Sequence, residues 1–553
     1  RIMVSGSCEP SLSAVVLGFP NNGIFVGSEG GSTYTSVGKV TASGGMYAMC
    51  WCTLGAVCQR PENFQVDAGN LTVRGPYFDQ HKTCVASQVC TIRGYAGQAL
   101  SIHDRILLLD TCGTPTRPAR MPNDAVSTYL DQFGTLVSWG SSRSTAAGGV
   151  YRLCWCPFSV SCVQEQDFAV DSGSLHFLGP SHFQAQECIP GVACVFRGFY
   201  GYGLQDGERL MALKTCGSGD PVHGFPNGGI SNAAIGNGSW YSWGLGTTQA
   251  GFEKLLSTTP GGVYGLCWCP NRGLENCALP GEFVVDAGSL IVKGPHFQAN
   301  ASCAAGQSCA VGPWEGTRLS LQDRVAFLRH SDSCGQQEAD PLVARGQYKD
   351  VICSLDLTSC EVSISGVESQ YGGHFRVCYC VGYADPAGED GDPCSERTEF
   401  TAWAGMLEIR GPMGVQTFAC PAGSDCTVTI RGYGLDLRDK VKLVKRADPC
   451  HTFPAMGVPS QEALIRSGGS RTNAVSPEPG AGGSDSNTFA LGSIRAIGDY
   501  KVCYCSSVLS CLNPYDFGGV AGTVQVSGAD PARVYICRRG SNCVVDLQGW
   551  RLG

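Results

Sequence analysis

The sequence predicts an all-β chain: tandem, disulfide-stapled β-sandwich modules in a linear array. Three observations carry this expectation. A short cysteine-bearing stretch with strand-like alternation recurs five times, further cysteines recur around it at fixed spacings, and turn residues punctuate the chain while helix-period stretches are few.

The recurring stretch is Tyr151-Arg152-Leu153-Cys154-Trp155-Cys156, with counterparts at residues 47–52, 264–269, 375–380 and 500–505. In a strand, alternate residues point to opposite faces. Tyr151, Leu153 and Trp155 then share an aromatic-aliphatic face, while Arg152, Cys154 and Cys156 share the other. The expectation is an apolar core on the first side and a wet, cysteine-bearing surface on the second.

Each of the five units holds six cysteines, thirty of the 32 in all. One precedes a turn (Cys8, Cys112, Cys216, Cys334, Cys450), two form the C-x-C pair, and a fourth follows shortly after. The last two form C-x5-C pairs: Cys84/Cys90, Cys188/Cys194, Cys303/Cys309, Cys420/Cys426 and Cys537/Cys543. Each such pair encloses a hairpin-like loop and is expected to bond within itself. Residues two apart in one strand have parallel Cβ vectors and do not readily bridge each other. The C-x-C cysteines therefore reach outward. Six cysteines permit fifteen pairings, of which the expected one is Cys156 with Cys162 across a short loop (and likewise Cys52 with Cys58, Cys269 with Cys277, Cys380 with Cys394 and Cys505 with Cys511) and Cys154 with Cys112. Cys353 and Cys360 remain and are expected to join.

Composition narrows the class. A chain of 553 residues is too long for one core and suits several domains. Net charge is −8, with 39 basic against 47 acidic residues and no basic stripe, which argues against nucleic acid or an anionic membrane surface as partner. No run approaches the roughly 20 apolar residues of a membrane span. C-x-x-C spacing is absent, so zinc ribbons and redox motifs are disfavoured; an even, patterned cysteine count points to disulfides and a secreted or cell-surface protein. Asn70, Asn237 and Asn300 head glycosylation acceptor triplets, making a glycoprotein the expectation.

Further landmarks recur. Residues 64–76, matched at 168–180, 283–295 and 400–412, alternate well and contain an Asp-x-Gly segment in the first three copies, read as a turn between two short strands. Next come the C-x5-C loop, a strand such as residues 426–432, an aspartate (Asp104, Asp206, Asp323, Asp439) and another strand, such as residues 440–444. The Tyr-x-x-Cys stretch followed by Ala-Gly-x-Leu-x-Val-x-Gly-Pro resembles the last two strands of an immunoglobulin-like sandwich. The Gly-Pro and Cys-Thr-Val-Thr-Ile-Arg-Gly-Tyr-Gly-Leu stretches are similar to the opening strands of its TIG-type variant. There is also a general similarity to the long cysteine-rich repeat proteins of protist surfaces and of flagellar hairs (mastigonemes).

Cutting at Gly-Pro gives four whole modules, 76–179, 180–294, 295–411 and 412–528, flanked by partial modules 1–75 and 529–553. The flanking pieces together nearly make one module. Two readings fit: an excerpt from a longer tandem array, or ends that complete each other between copies by strand donation. Both imply a linear assembly. Residues 123–134 and 249–258 are expected to form short helices, and residues 467–487 a Gly/Ser/Pro-rich loop.

Candidate chemistry is sparse. The recurring aspartates, with Asp67, Asp171 and Asp286 of the Asp-x-Gly segments, offer one or two carboxylates per cluster, short of the six to eight oxygens calcium takes, so turn capping is the expected role. His182 and His296 share a place after Gly-Pro without a repeated partner. Trp240, Tyr241 and Trp243 are read either as a surface for sugars or neighbouring chains, or as buried anchors. No hydrolase elbow, dinucleotide fingerprint, P-loop or zincin motif is found, and no metal, cofactor or enzymatic activity is expected. The expected function is an extracellular structural protein forming a stiff rod or filament by homopolymerisation; the alternative is an adhesion or carbohydrate-binding ectodomain using the repeats as a stalk.

Overall fold

The alternation of the recurring stretch produces a β-strand in all five copies: Gly45–Trp51, Gly149–Cys156, Gly262–Cys269, Gly373–Cys380 and Gly498–Cys505, hereafter the cysteine strand. The computed structural model describes residues 1–552 except 12–13, 29–30, 54, 132–133, 191–192, 223, 244–258, 273–275, 337, 342, 367, 383–393, 453–454, 456–462 and 465–484. Two compact units divide the chain: residues 1–186 with 194–245 and 264–290, and residues 187–193 with 246–263 and 291–553.

On one side the cysteine strand pairs antiparallel with an apolar core strand: Ile2–Ser5, Arg105–Leu109, Arg209–Leu213, Arg324–Arg329 or Lys440–Lys445. On the other it pairs with a closing strand: Val66–Val73, Val170–Pro180, Val285–Val292, Ala402–Pro412 or Gly519–Ala529. An opening strand then adds to the closing strand in parallel. Gln80–Val85 lies along Gly173–Leu178, Ala301–Ala304 along Leu407–Arg410, and Gln416–Pro421 along Gly522–Ser527. A second sheet covers this one; Asp425–Tyr433 with Asp485–Ser493 and Cys309–Thr317 with Ser359–Ile364 are examples. Two sheets, with an opening strand parallel to the closing strand, make an immunoglobulin-like β-sandwich.

The core sits between the sheets. In the second unit one cluster gathers Trp314, Phe327, Val362, Ile364, Phe375, Val377, Tyr379, Leu407 and Ile409, all nearly inaccessible to solvent. Another gathers Val428, Ile430, Leu443, Phe489, Tyr500, Val502, Tyr504, Val524 and Val526. In these two copies the aromatic-aliphatic face of the cysteine strand therefore points inward, whereas Trp51 of the first copy is exposed.

Four sequence expectations require correction. The Asp-x-Gly segment is not a turn between two strands but a bulge inside one continuous closing strand: the register with the cysteine strand shifts between Arg152 and Cys154, and alike in four copies. Asp171 Oδ1 accepts from the Gly173 amide at 3.0 Å, which satisfies a donor locally without reversing the chain. The cysteine side of the strand is not wet. Cys154 and Cys156 are fully buried, and in the following copy Cys267, Cys269 and Cys277 form a second small core with Met211, Leu213 and Phe283. Among the described residues of 123–134 there is no α-helix: Pro122–Ala125 is a 3-10 turn in which Asn123 and Asp124 take positive φ and cannot propagate a helix, and the strand Tyr129–Asp131 follows. Residues 249–258 lie outside the described residues, as do 467–484, and Asp485–Ser493 is strand.

Candidate functional site

Sulfur chemistry is spent on staples. The first cysteine of each C-x-C pair joins the loop after the core strand: Cys8–Cys50, Cys112–Cys154, Cys216–Cys267, Cys334–Cys378 and Cys450–Cys503, with Cα atoms 5.4–5.6 Å apart. The second joins the loop beyond: Cys52–Cys58, Cys156–Cys162, Cys269–Cys277, Cys380–Cys394 and Cys505–Cys511. Cys84–Cys90, Cys303–Cys309, Cys420–Cys426 and Cys537–Cys543 close the C-x5-C loops, Cys188 and Cys194 are also disulfide-bonded, and Cys353 joins Cys360. No described cysteine is free.

The recurring acid is a buried anchor. Asp104, Asp323 and Asp439 are at most 2 % exposed, but in the third copy the position belongs to Glu208, not Asp206. The signal was present: the buried acid always stands one residue before a basic residue opening the core strand (Arg105, Arg209, Arg324, Lys440). Asp206 instead accepts from the Gly238 amide at 3.2 Å. Three of these buried acids face the aromatic of the cysteine strand. Tyr379 donates to Asp323 at 2.7 Å, Tyr504 donates to Asp439, and Trp268 Nε1 donates to Glu208 at 3.1 Å. Burial raises the pKa of all three carboxyls; Arg272 partly offsets this at Glu208. Burial and the adjacent carboxylates push the Tyr379 and Tyr504 hydroxyls far above their ordinary range.

Other residues singled out in the sequence separate. Asp67 and Asp286 bond Gly69 and Gly288 as Asp171 bonds Gly173, at 2.8 and 2.9 Å. Among the described residues no group of three or more His, Cys, Asp or Glu side chains could hold a metal ion. His182 is half-buried with its pKa lowered by that burial, and His296 meets Thr317 at 2.7 Å. Tyr241 and Trp243 are buried, Trp243 donating to the Gly229 carbonyl at 2.8 Å, while Trp240 lies under the Arg197 guanidinium. Tyr241 and Trp243 are thus buried anchors of the sheet, while Trp240 is partly exposed. Asn70, Asn237 and Asn300 stand at the surface.

A cleft of about 590 Å³ lies within the second unit, beside the last cysteine strand. Gln370, Tyr371, His451, Lys501, Tyr515 and Phe517 line it. His451 and Tyr515 stack with ring centroids 5.4 Å apart and planes within 9°, and Tyr515 is 71 % exposed. Gln307 supports the Tyr515 loop by donating to its carbonyl at 3.4 Å, and Lys501 reaches the Asp448 carbonyl at 2.7 Å. An exposed aromatic stack, a cation and an amide in one concavity suit the apolar faces and hydroxyls of a sugar ring. The sequence reading missed it because its parts come from five separated segments. The stack is confined to one copy: the other copies carry Glu62, Gln166, Gly281 and Thr398 in place of Tyr515, and Glu9, Gly113, Gly217 and Gly335 in place of His451.

No family model matches the chain. It is 23 % identical over 230 residues, 36 % of its length, to cysteine repeat modular protein B of Toxoplasma gondii, and covers 3 % of that much longer protein. A chain in the crystal structure of Dpr2 Ig1-Ig2 in complex with DIP-Theta Ig1-Ig3 also matches, at 12 % identity and a TM-score of 0.12, over 42 % of this chain and 95 % of that one. The chain is thus an array of cysteine-rich, immunoglobulin-like β-sandwich repeats with weak similarity to a Toxoplasma cysteine-repeat protein. Its disulfide density is consistent with an extracellular setting, and among the described residues no helix is long and apolar enough to cross a membrane.

Proposed function

We propose that the chain serves as a secreted or cell-surface adhesion ectodomain, in which stapled modules form a stalk and the cleft beside the last cysteine strand binds a carbohydrate. The carrying observation is the His451–Tyr515 stack, present in one copy among five built alike. A repeat unit that differs from its siblings in one solvent-open aromatic cluster has a surface that packing does not require. Modules bounded at 76–179, 180–294, 295–411 and 412–528, with glycans on Asn70, Asn237 and Asn300, complete the proposal. Glycan-array binding by the intact chain tests it: binding to a restricted set of saccharides is expected, lost in Tyr515→Ala. Absence of binding, or binding that survives Tyr515→Ala, overturns it.

A filament-forming role is the second reading. It draws support from the recurrence of one junction: Gly-Pro pairs with the strand after the C-x5-C loop at Gly75–Pro76, Gly179–Pro180, Gly294–Pro295 and Gly411–Pro412. Electron microscopy of the chain separates the readings, since long fibres at low protein concentration belong to this one.

A further inference from the structure

The Lys501 ammonium lacks the side-chain partner that its cationic counterparts have. Its place on the cysteine strand belongs to Ala48, Arg152, Gly265 and Arg376 in the other copies. Arg152 is neutralised, its guanidinium meeting the Asp171 carboxylate at 2.7 Å. Arg376 lies over the Trp403 ring, 5.2 Å from the centroid. Asp171 and Trp403 occupy one position of the closing strand, opposite the first cysteine of the C-x-C pair, and there the last copy has Val520. Lys501 is left with the Asp448 carbonyl at 2.7 Å, and among the described residues it meets no carboxylate.

Lys501 and Val520 both line the cleft that holds the His451–Tyr515 stack, and no aspartate or glutamate is among the residues lining it. The acids closest to it in sequence are spent. Asp499 accepts from Arg446 at 2.9 Å, and Asp516 accepts from Ser510 Oγ at 2.7 Å. A second ammonium, Lys442 Nζ, lies 4.6 Å from the ring centroid of Phe517, which also lines the cleft. The walls are set before any ligand arrives. The Gly306 carbonyl fits against Gly366 and Gly518, where a Cβ would stand 2.4 and 2.1 Å from it. Ser369 Oγ donates to the Gln307 carbonyl at 2.7 Å, and the Val520 amide to the Gln370 carbonyl at 3.2 Å. Walls pinned in this way cut the ordering cost of binding.

We infer that the saccharide taken by this cleft is acidic, its carboxylate or sulfate pairing with Lys501 while a ring lies against Tyr515. The inference rests on the carbohydrate reading and adds a charge requirement to it. A neutral sugar leaves the ammonium with water and one carbonyl. An anionic group gives it the charge-assisted partner that Arg152 has in Asp171. Val520 and Phe517 exclude water from part of the wall, so the attraction is screened less than on an open surface. An ammonium is a point charge without the planar fork of arginine, so it accepts either anion by charge and position.

Binding of the intact chain to matched saccharide pairs tests it. Oligosaccharides bearing a uronic acid, and a second series bearing a sulfate, are each compared with the neutral sugar of the same linkage; the series that binds tells carboxylate from sulfate. Wild type is expected to bind the acidic member about tenfold tighter, with the preference shrinking as salt is raised. Lys501→Gln is expected to remove the preference. Val520→Asp, which sets a carboxylate where Asp171 stands beside Arg152, is expected to do the same. Other copies carry alanine, glycine or arginine in place of Lys501 and aspartate in place of Val520, so folding is spared. Neutral members bound as tightly as acidic ones, or a preference undiminished in Lys501→Gln, overturns the inference and leaves the carbohydrate reading standing. Absence of binding to every member overturns both.

Discussion

Replacing Tyr379 by Phe removes one hydroxyl and leaves the ring, including its edge contact with Trp314 at 5.9 Å. That hydroxyl is one of three donors to the fully buried Asp323 carboxyl, with the Gly382 and Ser320 amides at 2.7 and 2.9 Å. A hydrogen bond to a charged group contributes about 2 kcal/mol, so opening of the cysteine strand Gly373–Cys380 should become about 30-fold more frequent. The sign with pH follows from linkage. Burial holds the folded pKa of Asp323 above its unfolded value, so its contribution to stability is full below the unfolded value and lost as pH rises through the folded one. The Tyr379 hydroxyl favours the ionised form, so losing it raises the folded pKa further. The variant therefore approaches wild type in acid, where both forms are protonated, and shows its full loss at neutral pH. Hydrogen exchange of the Gly373–Cys380 amides, read by mass spectrometry at both pH values, measures this. An unchanged opening rate at neutral pH, or an equal loss at both, would refute the assignment of Tyr379 as support for a buried carboxylate.

Three other outcomes are expected. Alanine at Cys112 and Cys154 opens a loop of sequence separation 42 and should cost about 4 kcal/mol of chain entropy, against about 2.4 kcal/mol for Cys156 and Cys162 at separation 6, read as the shift in denaturant midpoint of exchange in Gly149–Cys156. Gly173→Val should release Gln80–Val85 from the closing strand while sparing the core and cysteine strands, seen as exchange confined to residues 80–85. Arg272→Met leaves Glu208, 1 % exposed, without its ion-pair partner. The cost should be about 3 kcal/mol at neutral pH, and it should shrink in acid as Glu208 takes up a proton; a pH series of thermal unfolding detects both.

Much of the architecture was legible because it depends on local rules. Side-chain alternation is imposed by the strand backbone, so Tyr151, Leu153 and Trp155 could be assigned to one face without coordinates. Recurrence then carried that assignment through five copies. The Asp-x-Gly segment shows the limit: an aspartate that bonds its second neighbour's amide serves a turn and a bulge equally well, and only the strand alongside decides between them. Burial of the sulfur face was likewise illegible, since it depends on residues such as Met211 and Phe283 arriving from distant segments.

By itself, then, the chain order dictated which residues form strands, how often the unit repeats, and which side chains share a face, all of which are set within a few residues. Only tertiary structure decided that Glu208 stands where Asp206 was expected, and that His451 meets Tyr515. Those outcomes arise from pairing between segments tens to hundreds of residues apart, where the geometry of two sheets closing over one core, and not sequence distance, determines which groups meet.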